Sequence, residues 1–246
     1  MPSIRLRTVA AFVPVNAVIA DIGTDHACLP IYLIKKHVIN HAIAIDINKG
    51  PYITAQKAVK AKNMTTKIDV RLGSGLSPIK TGEITTAVFA GMGGILISSL
   101  LKESTHIVSS LNDLILQPQL AADKLRHYLY QIGWHITDEA LAKEQNHIYQ
   151  IIYALPGKKQ MPTPIELEVG PVLINKRPPL FNLHIKELLR RNNKILTGLK
   201  KASTHGKNNV QLKNLSDIVK KLEVIYNDKL SNDNRSNGKN CPTQSS

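Results

Sequence analysis

The chain has 246 residues, 43% of them hydrophobic, and its 32 Lys and Arg against 18 Asp and Glu give a net charge of +14. This length is sufficient for one large domain, or for a medium domain with an appendage. No apolar run approaches the roughly 18 residues of a membrane span, and no cleavable signal stands out. The two cysteines, Cys28 and Cys241, have no metal-ligand spacing around them. We therefore expect a cytoplasmic protein without a membrane segment, a disulfide framework or a metal site.

Candidate strands alternate with candidate helices over the first part of the chain. The strands are predicted at Ala17–Ala20, Ala42–Ile45, Ile68–Leu72, Thr85–Phe89 and Leu114–Leu116. The helices are predicted at Ser3–Phe12, Leu29–His37, Tyr52–Asn63, Ile95–Lys102 and Ala121–Ile132. Trp134–Ala140 and His147–Ala154 alternate polar and apolar residues, which predicts an antiparallel pair at one edge. The order predicts an α/β fold with a parallel sheet covered by helices on both faces.

A different, helical repeat follows the linker-like stretch Pro156–Pro164. Apolar residues there step by four and three in two runs, which predicts two heptad-like helices folded back as an antiparallel hairpin. The runs are Phe181, Ile185, Leu188, Asn192, Ile195 and Leu199, then Leu212, Leu215, Val219, Leu222 and Tyr226. Ser203–Asn209 is the predicted turn, and the Asn- and Ser-rich residues from Ser231 are predicted to be disordered. These patterns divide the chain into residues 1–160, 161–230 and 231–246.

Basic residues are concentrated in the last third of the chain. From Lys176 to Ser246 there are 15 Lys and Arg against 5 Asp and Glu, whereas the preceding 175 residues carry 17 against 13. This distribution favours a polyanionic partner, nucleic acid first, and a lysine-rich solvated surface is the alternative. The cations expected to contact phosphates lie in the hairpin: Lys186, Arg190, Arg191, Lys194, Lys200, Lys201 and Lys207.

Polar residues and glycines follow four of the predicted strands, where an open α/β sheet binds its ligand. The four segments are Asp21–Asp25, Asp46–Asn48, Gly73–Gly75 and Ala90–Gly94. The carboxylate of Asp46 could accept two hydrogen bonds from a ribose diol, and its alternative role is a helix N-cap. The glycines allow a close approach of an adenosine or of a substrate base, and turn geometry is their alternative explanation.

The first of these turns distinguishes between two adenosine cofactors. NAD needs a glycine-rich cradle for its pyrophosphate, whereas Asp25 and His26 stand in this turn and no further glycine follows Gly23 there. A carboxylate at residue 25 would repel a diphosphate. S-adenosylmethionine carries an ammonium and a sulfonium, so charge favours this methyl donor over the dinucleotide.

Five segments, taken in order, carry a resemblance to a known family: IADIGTDHACLP, AIAIDINKGPY, DVRLGSGL, FAGMGG and LILQPQ. The chain resembles the bacterial tRNA (adenine-22-N1)-methyltransferase family from Arg5 to about Ala154, and more loosely through the hairpin. The resemblance implies a Rossmann-like class I methyltransferase domain followed by a coiled coil. It also implies methyl transfer from S-adenosylmethionine to N1 of an adenine in the D-arm region of tRNA. Two departures concern substrate positioning, because Cys28 replaces a usual tyrosine and Gln119 a usual asparagine.

The same resemblance assigns the site residues. It places the methionine part of the cofactor at Asp21, Gly23 and Asp25, and the ribose beside Asp46 and Asn48. The full set expected to bind the cofactor is Arg5, Asp21, Gly23, Thr24, Asp25, Asp46, Ile47, Asn48, Gly73, Ser74, Gly75, Ala90, Gly91, Met92 and Gly93. Arg5 is included because its charge suits the carboxylate of the cofactor. Asp25 is the candidate that stabilises positive charge developing on the base, with His26 beside it. The alternative for His26 is a turn histidine bonded to the backbone.

Three other functions compete with a tRNA methyltransferase that acts as a monomer or weak dimer. The chain could bind S-adenosylmethionine and RNA without turnover. It could methylate a small molecule or a protein and use the hairpin only for dimerisation. An NAD-dependent enzyme is the most distant alternative, because the pyrophosphate cradle is missing.

Overall fold

The computed structural model describes residues 1–202 and 209–236, in two compact units that divide after Pro178. The first unit contains seven strands: β1 (Ile19–Ile22), β2 (Ala42–Asp46), β3 (Ile68–Leu72), β4 (Thr86–Met92), β5 (Asp113–Pro118), β6 (Trp134–Glu144) and β7 (His147–Pro156). Its helices are α1 (Ile4–Ala10), α2 (Cys28–Lys35), α3 (Lys49–Ala61), α4 (Gly94–Glu103), α5 (Thr105–Val108), α6 (Ala122–Gln131), α7 (Pro164–Val169) and α8 (Leu173–Lys176). The α/β alternation predicted from the sequence is confirmed.

All seven strands form one sheet in the order β3-β2-β1-β4-β5-β7-β6. The first five are parallel, and β7 runs antiparallel to both β5 and β6. Apolar residues of α1, α2 and α3 cover one face, and those of α4 and α6 cover the other. The strand order reverses direction between β1 and β4, and that point is where a doubly wound sheet opens a crevice at its carboxyl edge.

Three boundaries near that edge differ from the sequence prediction. β1 lies two residues later than expected, so Asp21 is inside the strand and paired in register with Ala44 and Val88. α3 begins at Lys49 because Asn48 takes the N-cap position in an extended conformation. β4 continues to Met92 through an irregularity at Gly91, where a left-handed backbone bends the strand while it still pairs with β5.

The boundary between the two units also lies later than residue 160. Within the linker-like stretch, Thr163 and Glu166 form a capping box that starts α7. The fully buried Arg126 donates to the carboxylate of Glu139 and to the backbone carbonyl of Leu167. These contacts fasten α7 to α6 and β6, which is why the helical segment up to Pro178 belongs to the first unit.

The second unit consists of α9 (Phe181–Ala202) and α10 (Asn209–Ser236), which pack against each other. The predicted seam residues of α9 are buried from Phe181 to Asn192, but the next one predicted, Ile195, is wrong. Ile195 is 47% exposed and Leu196 is 9% exposed, because the helix continues with a step of four where the heptad pattern has three.

Two predictions for the end of the chain have different outcomes. The predicted turn Ser203–Asn209 lies outside the described residues except for Asn209, which begins α10 instead. Lys207 also lies outside them, so the antiparallel hairpin stays a prediction. Disorder from Ser231 is corrected for residues 231–236, since α10 continues to Ser236. Extending a helix that has already formed adds a hydrogen bond with each residue, which composition alone does not reveal. Residues 237–246 lie outside the described part.

No described helix has the length and apolarity needed to cross a membrane.

Candidate active site

The turn after β1 forms the centre of the carboxyl edge. Gly23 has a φ of +73°, and Asp25 and Ala27 also adopt left-handed backbone conformations at +52° and +51°. The N–H groups of Gly23 and Thr24 both donate to the carbonyl of Ile45, at 2.8 and 3.0 Å, and so fix the turn to β2. Non-glycine residues rarely adopt such conformations, and they concentrate at functional sites.

Asp21 provides a buried carboxylate directly before this turn. The residue is 5% exposed, and its Oδ2 accepts a hydrogen bond of 2.6 Å from the Thr24 hydroxyl. Burial raises the pKa of Asp21 from its ordinary 3.8 to about 6, and the nearby charge of Asp46 also raises it. The hydrogen bond from Thr24 and the charge of Arg5 lower this pKa, but the effect of burial is larger. Asp21 is therefore a group whose ionisation responds to a bound cation.

Arg5 reaches the same edge from α1 and is held by three partners. Its backbone N–H donates to Glu144 at 2.6 Å, and its Nη1 donates to the buried side chain of Gln117. Its guanidinium carbon lies 5.6 Å from the ring centroid of Tyr149. Together these partners hold Arg5 in a defined place beside the turn.

The sequence singled out Arg5 but not these partners. Gln117 could have been found from its position at a strand end, in the segment LILQPQ. Glu144 and Tyr149 gave no comparable signal, because they come from the antiparallel β6–β7 pair far along the chain.

Two cavities meet at Gly23, which lines both. The smaller one, of about 100 Å³, is lined by Arg5, Asp21, Thr24, Asp25, His26, Ala90 and their neighbours. The larger one, of about 260 Å³, is lined by Asp46, Ile47, Asn48, Gly73, Ser74, Gly75, Met92 and apolar neighbours. The structure thus brings together residues that the sequence grouped from four separate strand ends.

Two of the predicted residues, Gly91 and Gly93, line neither cavity. Gly91 lies beside Arg5 instead: a Cβ on Gly91 would be 3.6 Å from the Arg5 Nη1 atom and 3.8 Å from Nε2 of Gln119. Apolar residues that the sequence had not singled out, Leu96 and Leu100 of α4, close the larger cavity. They look like ordinary core positions of a helix and carry no separate signal.

Asp46 contacts the start of α3 and also lines the larger cavity. Its Oδ1 accepts a 2.8 Å hydrogen bond from the backbone N–H of Asn48, which helps to start α3. Asn48, not Asp46, is the N-cap residue. The Asp46 carboxylate also lines the larger cavity, and its binding of a ribose stays a prediction.

Asp25 and His26 lie at the rim of the smaller cavity. Both side chains are more than half exposed, and His26 Nε2 is 3.5 Å from Asp25 Oδ2. In the described structure His26 thus faces a carboxylate rather than a backbone group. No group of three or more His, Cys, Asp or Glu side chains in the described ranges is arranged to hold a metal ion.

The lining of the two cavities fits S-adenosylmethionine. A buried carboxylate and a guanidinium in the smaller cavity match the ammonium and carboxylate of an amino acid. A carboxylate at the end of β2 and the glycine turn after β3 match an adenosine. Together with the sheet order, these features define a class I methyltransferase that uses S-adenosylmethionine.

Comparison with known proteins defines the family. Residues 19–225 match the family model of the tRNA (adenine(22)-N(1))-methyltransferases, and the chain belongs to this family. It is 33% identical over 226 residues to the tRNA (adenine(22)-N(1))-methyltransferase of Bacillus subtilis, covering 90% of this chain and 95% of the relative.

Two solved structures resemble it closely. A Streptococcus pneumoniae structure in complex with S-adenosyl-L-methionine has a TM-score of 0.79 at 31% identity and covers 92% of this chain and 100% of its own. The structure of M. capricolum TrmK in complex with S-adenosyl-homocysteine has a TM-score of 0.76 at 27% identity and covers 92% of this chain and 98% of its own.

Proposed function

We propose that this chain transfers the methyl group of S-adenosylmethionine to N1 of adenine 22 in tRNA, with the cofactor bound across Gly23. The observation that carries the proposal is the meeting of two chemically different cavities at one glycine. The smaller cavity has the charges for an amino acid, and the larger has the carboxylate and glycines for an adenosine. The sulfonium that joins the amino acid to the adenosine would then lie near the turn after β1, where the strand order reverses direction.

The chain's own residues hold the cofactor in this arrangement. Asp21 binds the ammonium, and Arg5 binds the carboxylate of the methionine part. Asp46 accepts hydrogen bonds from the ribose, with Ile47 and Asn48 beside it. Gly73, Ser74 and Gly75 leave room for the adenine, and Leu96 and Leu100 pack against it. Met92 lines the larger cavity next to Gly23.

The cofactor supplies an activated methyl group, so the protein mainly aligns the two reactants. Adenine N1 would attack the sulfonium methyl with a lone pair that carries no proton. The C–S bond would break as the N–C bond forms, so the positive charge would pass from sulfur to the base and the cofactor would leave as a neutral thioether. A general base is therefore unnecessary before methyl transfer, and catalysis depends on alignment and electrostatics. Asp25, at the rim of the smaller cavity, stabilises the charge developing on the base, and His26 positions Asp25.

Binding of tRNA offsets the cost of exposing N1. This atom lies on the pairing edge of adenine, so the base must leave its stack, which costs a few kcal/mol. Phosphate contacts made by basic side chains of α9 offset this cost. Those side chains are Lys186, Arg190, Arg191, Lys194, Lys200 and Lys201. Because tRNA is the substrate, we infer that the protein acts in the cytoplasm. We also propose that it is a monomer or weak dimer.

Methyl transfer from labelled S-adenosylmethionine to unmodified tRNA, followed by nucleoside mass spectrometry, tests this function. We expect 1-methyladenosine from the native chain, and a large loss of cofactor affinity with Asp46→Ala. A different methylated nucleoside would contradict the assigned atom. Cofactor binding without any transfer would favour an RNA-binding protein without turnover.

A further inference from the structure

A groove separate from the two cavities of the active site, and larger than both, lies at the β3 edge of the sheet. It has a volume of about 560 Å³ and lies between α3 and β3, the edge strand that pairs only with β2. Its floor is apolar, formed by Ile53, Val59, Ile68 and Val70. It shares no lining residue with the two cavities of the active site. The proposed binding of the cofactor therefore leaves this groove unused.

The rim of this groove is cationic. Lys57, Lys60 and His41 line it, and each of these residues is exposed. Within residues 35–67 there are seven lysines, and Asp46, a buried residue, is the one acidic residue. In the described part of the chain no carboxylate lies within ion-pair distance of Lys57 or Lys60. These two charges are therefore available to an anionic partner.

The one carboxylate that lines the groove is already occupied. Asp69 accepts from Arg71, at 2.8 Å from Nε and 2.7 Å from Nη2. Arg71 also binds Glu83, and this pairing lowers the pKa of Glu83 to about 2. Arg71 shares its single charge between Asp69 and Glu83, and the two lysines outnumber Asp69 in the lining, so the groove presents a net positive rim.

The helix α3 connects this groove with the active site. It begins at Lys49, directly after Asn48, which lines the larger cavity. Its 13 residues span about 20 Å. The spacing of Lys49, Lys57 and Lys60 places all three along one side of the helix. A row of cations therefore extends from the cavity proposed for adenosine to the groove at the sheet edge.

We propose that this groove binds the body of the substrate tRNA away from the target base. Lys57, Lys60 and His41 contact phosphates, and the apolar floor packs against a ribose or the face of a base. Cations along a groove with apolar surface between them match single-stranded or looped RNA, whose bases have apolar faces and whose backbone is charged. The inference rests on the proposed function, because it takes tRNA as the polyanion. It adds a contact surface in the first unit to the one expected on α9.

Neutralising the rim tests the proposal. In Lys57→Gln/Lys60→Gln the charge is lost without an acidic group being placed near the end of α3, where it would oppose the helix dipole. We expect the tRNA Kd to rise about tenfold at 0.1 M salt and the slope of log K against log salt to fall by about 2. Cofactor affinity and kcat at saturating tRNA should stay unchanged.

The matched control is Lys102→Gln/Lys158→Gln. Lys102 is on α4 on the other face of the sheet, and Lys158 follows β7 near the opposite edge. The control should keep the native tRNA Kd and salt slope. If Lys57→Gln/Lys60→Gln behaves like the control, the proposal is wrong, and these lysines only protect an edge strand from pairing with other chains.

A proximity measurement separates a contact from long-range attraction. Gln56, which lines the groove, is replaced by the photoreactive p-benzoylphenylalanine, and Lys102 is replaced likewise as a control. We expect tRNA to crosslink at residue 56 and not at residue 102, and absence of a crosslink at residue 56 would overturn the proposal. If the variant crosslinks tRNA at residue 56 while the native chain methylates no tRNA, the proposed function is contradicted and the groove remains an RNA site.

Discussion

Gly23, after β1, and Met92, at the end of β4, face each other where the strand order of the sheet reverses direction. A Cβ atom on Gly23 would lie 2.4 Å from the Met92 Cε atom, well inside van der Waals contact. Because β1 and β4 are neighbours, their ends approach each other here, and the two cavities meet at the same position. The left-handed backbone at residue 23 favours a glycine, and a side chain there would also displace the end of Met92.

Gly23→Ala should therefore impair both folding and cofactor binding. A left-handed conformation costs an alanine about 1–2 kcal/mol, and the flexible Met92 side chain must also move. We expect a lower melting temperature and at least a tenfold weaker affinity for S-adenosylmethionine by calorimetry. Gly50→Ala is the control, because a Cβ there meets nothing within 4 Å. It should leave both quantities at or above the native values, and equal behaviour of the two variants would contradict the role of Gly23.

Cofactor affinity should depend on pH through Asp21. Its pKa of about 6 means that the carboxyl is largely neutral below that pH, so an ammonium binds there only with release of a proton. The Kd for S-adenosylmethionine should therefore rise as the pH falls from 7.5 to 5. Asp21→Asn should bind weakly with little change over this range. A native affinity that is constant between pH 5 and 7.5 would rule out Asp21 as the ammonium partner.

The same residue should make the free protein less stable at neutral pH. A carboxyl with a raised folded-state pKa contributes stability that is present below its unfolded pKa of 3.8 and lost as the pH rises through about 6. In Asp21→Asn this loss is absent, so the variant without cofactor should melt above the native chain at pH 7.5. The difference in melting temperature between Asp21→Asn and the native chain should shrink toward pH 4. Thermal melts of both proteins between pH 4 and 7.5 measure it.

The buried pair of Arg126 and Glu139 should hold the end of the first unit in place. Glu139 also accepts hydrogen bonds from the backbone N–H groups of Val172 and Leu173, so it joins β6, α6 and α8. Glu139→Ala leaves a fully buried guanidinium without its charge partner, and such losses typically cost about 3–5 kcal/mol. Urea denaturation should show a loss of that order. A loss below about 1 kcal/mol would mean that the pair is not what fastens this segment.

Reversing charges on α9 should weaken tRNA binding without affecting the cofactor. Lys186, Arg190 and Lys194 recur every four residues and are all exposed, so they form one basic stripe. Replacing all three by Glu should raise the tRNA Kd by more than tenfold at 0.1 M salt and reduce its salt dependence. The Kd for S-adenosylmethionine is the internal control. An unchanged tRNA Kd would remove α9 from the interface.

Most residues of the site could be predicted from local sequence patterns. The residues that could not be predicted reach the site through long-range contacts. Asp46 and the Gly73–Gly75 turn were predictable, because a polar or glycine residue directly after an apolar strand is a short-range signal. Glu144, which binds the backbone of Arg5, was not, since the two are 139 positions apart and meet only when the sheet forms. Ile195 was misplaced because a heptad pattern cannot distinguish neighbouring apolar residues at the edge of a seam.

The central claim is that the carboxyl edge of this sheet directs a methyl group to one atom of one nucleotide. The most direct test incubates the chain with S-adenosylmethionine and a single unmodified tRNA transcript, beside a transcript in which guanine replaces adenine 22. Reverse transcription, which stops at a base methylated on its pairing edge, then maps the product. We predict a stop at position 22 in the first transcript and none in the second. Methylation of both transcripts at another position would contradict the account.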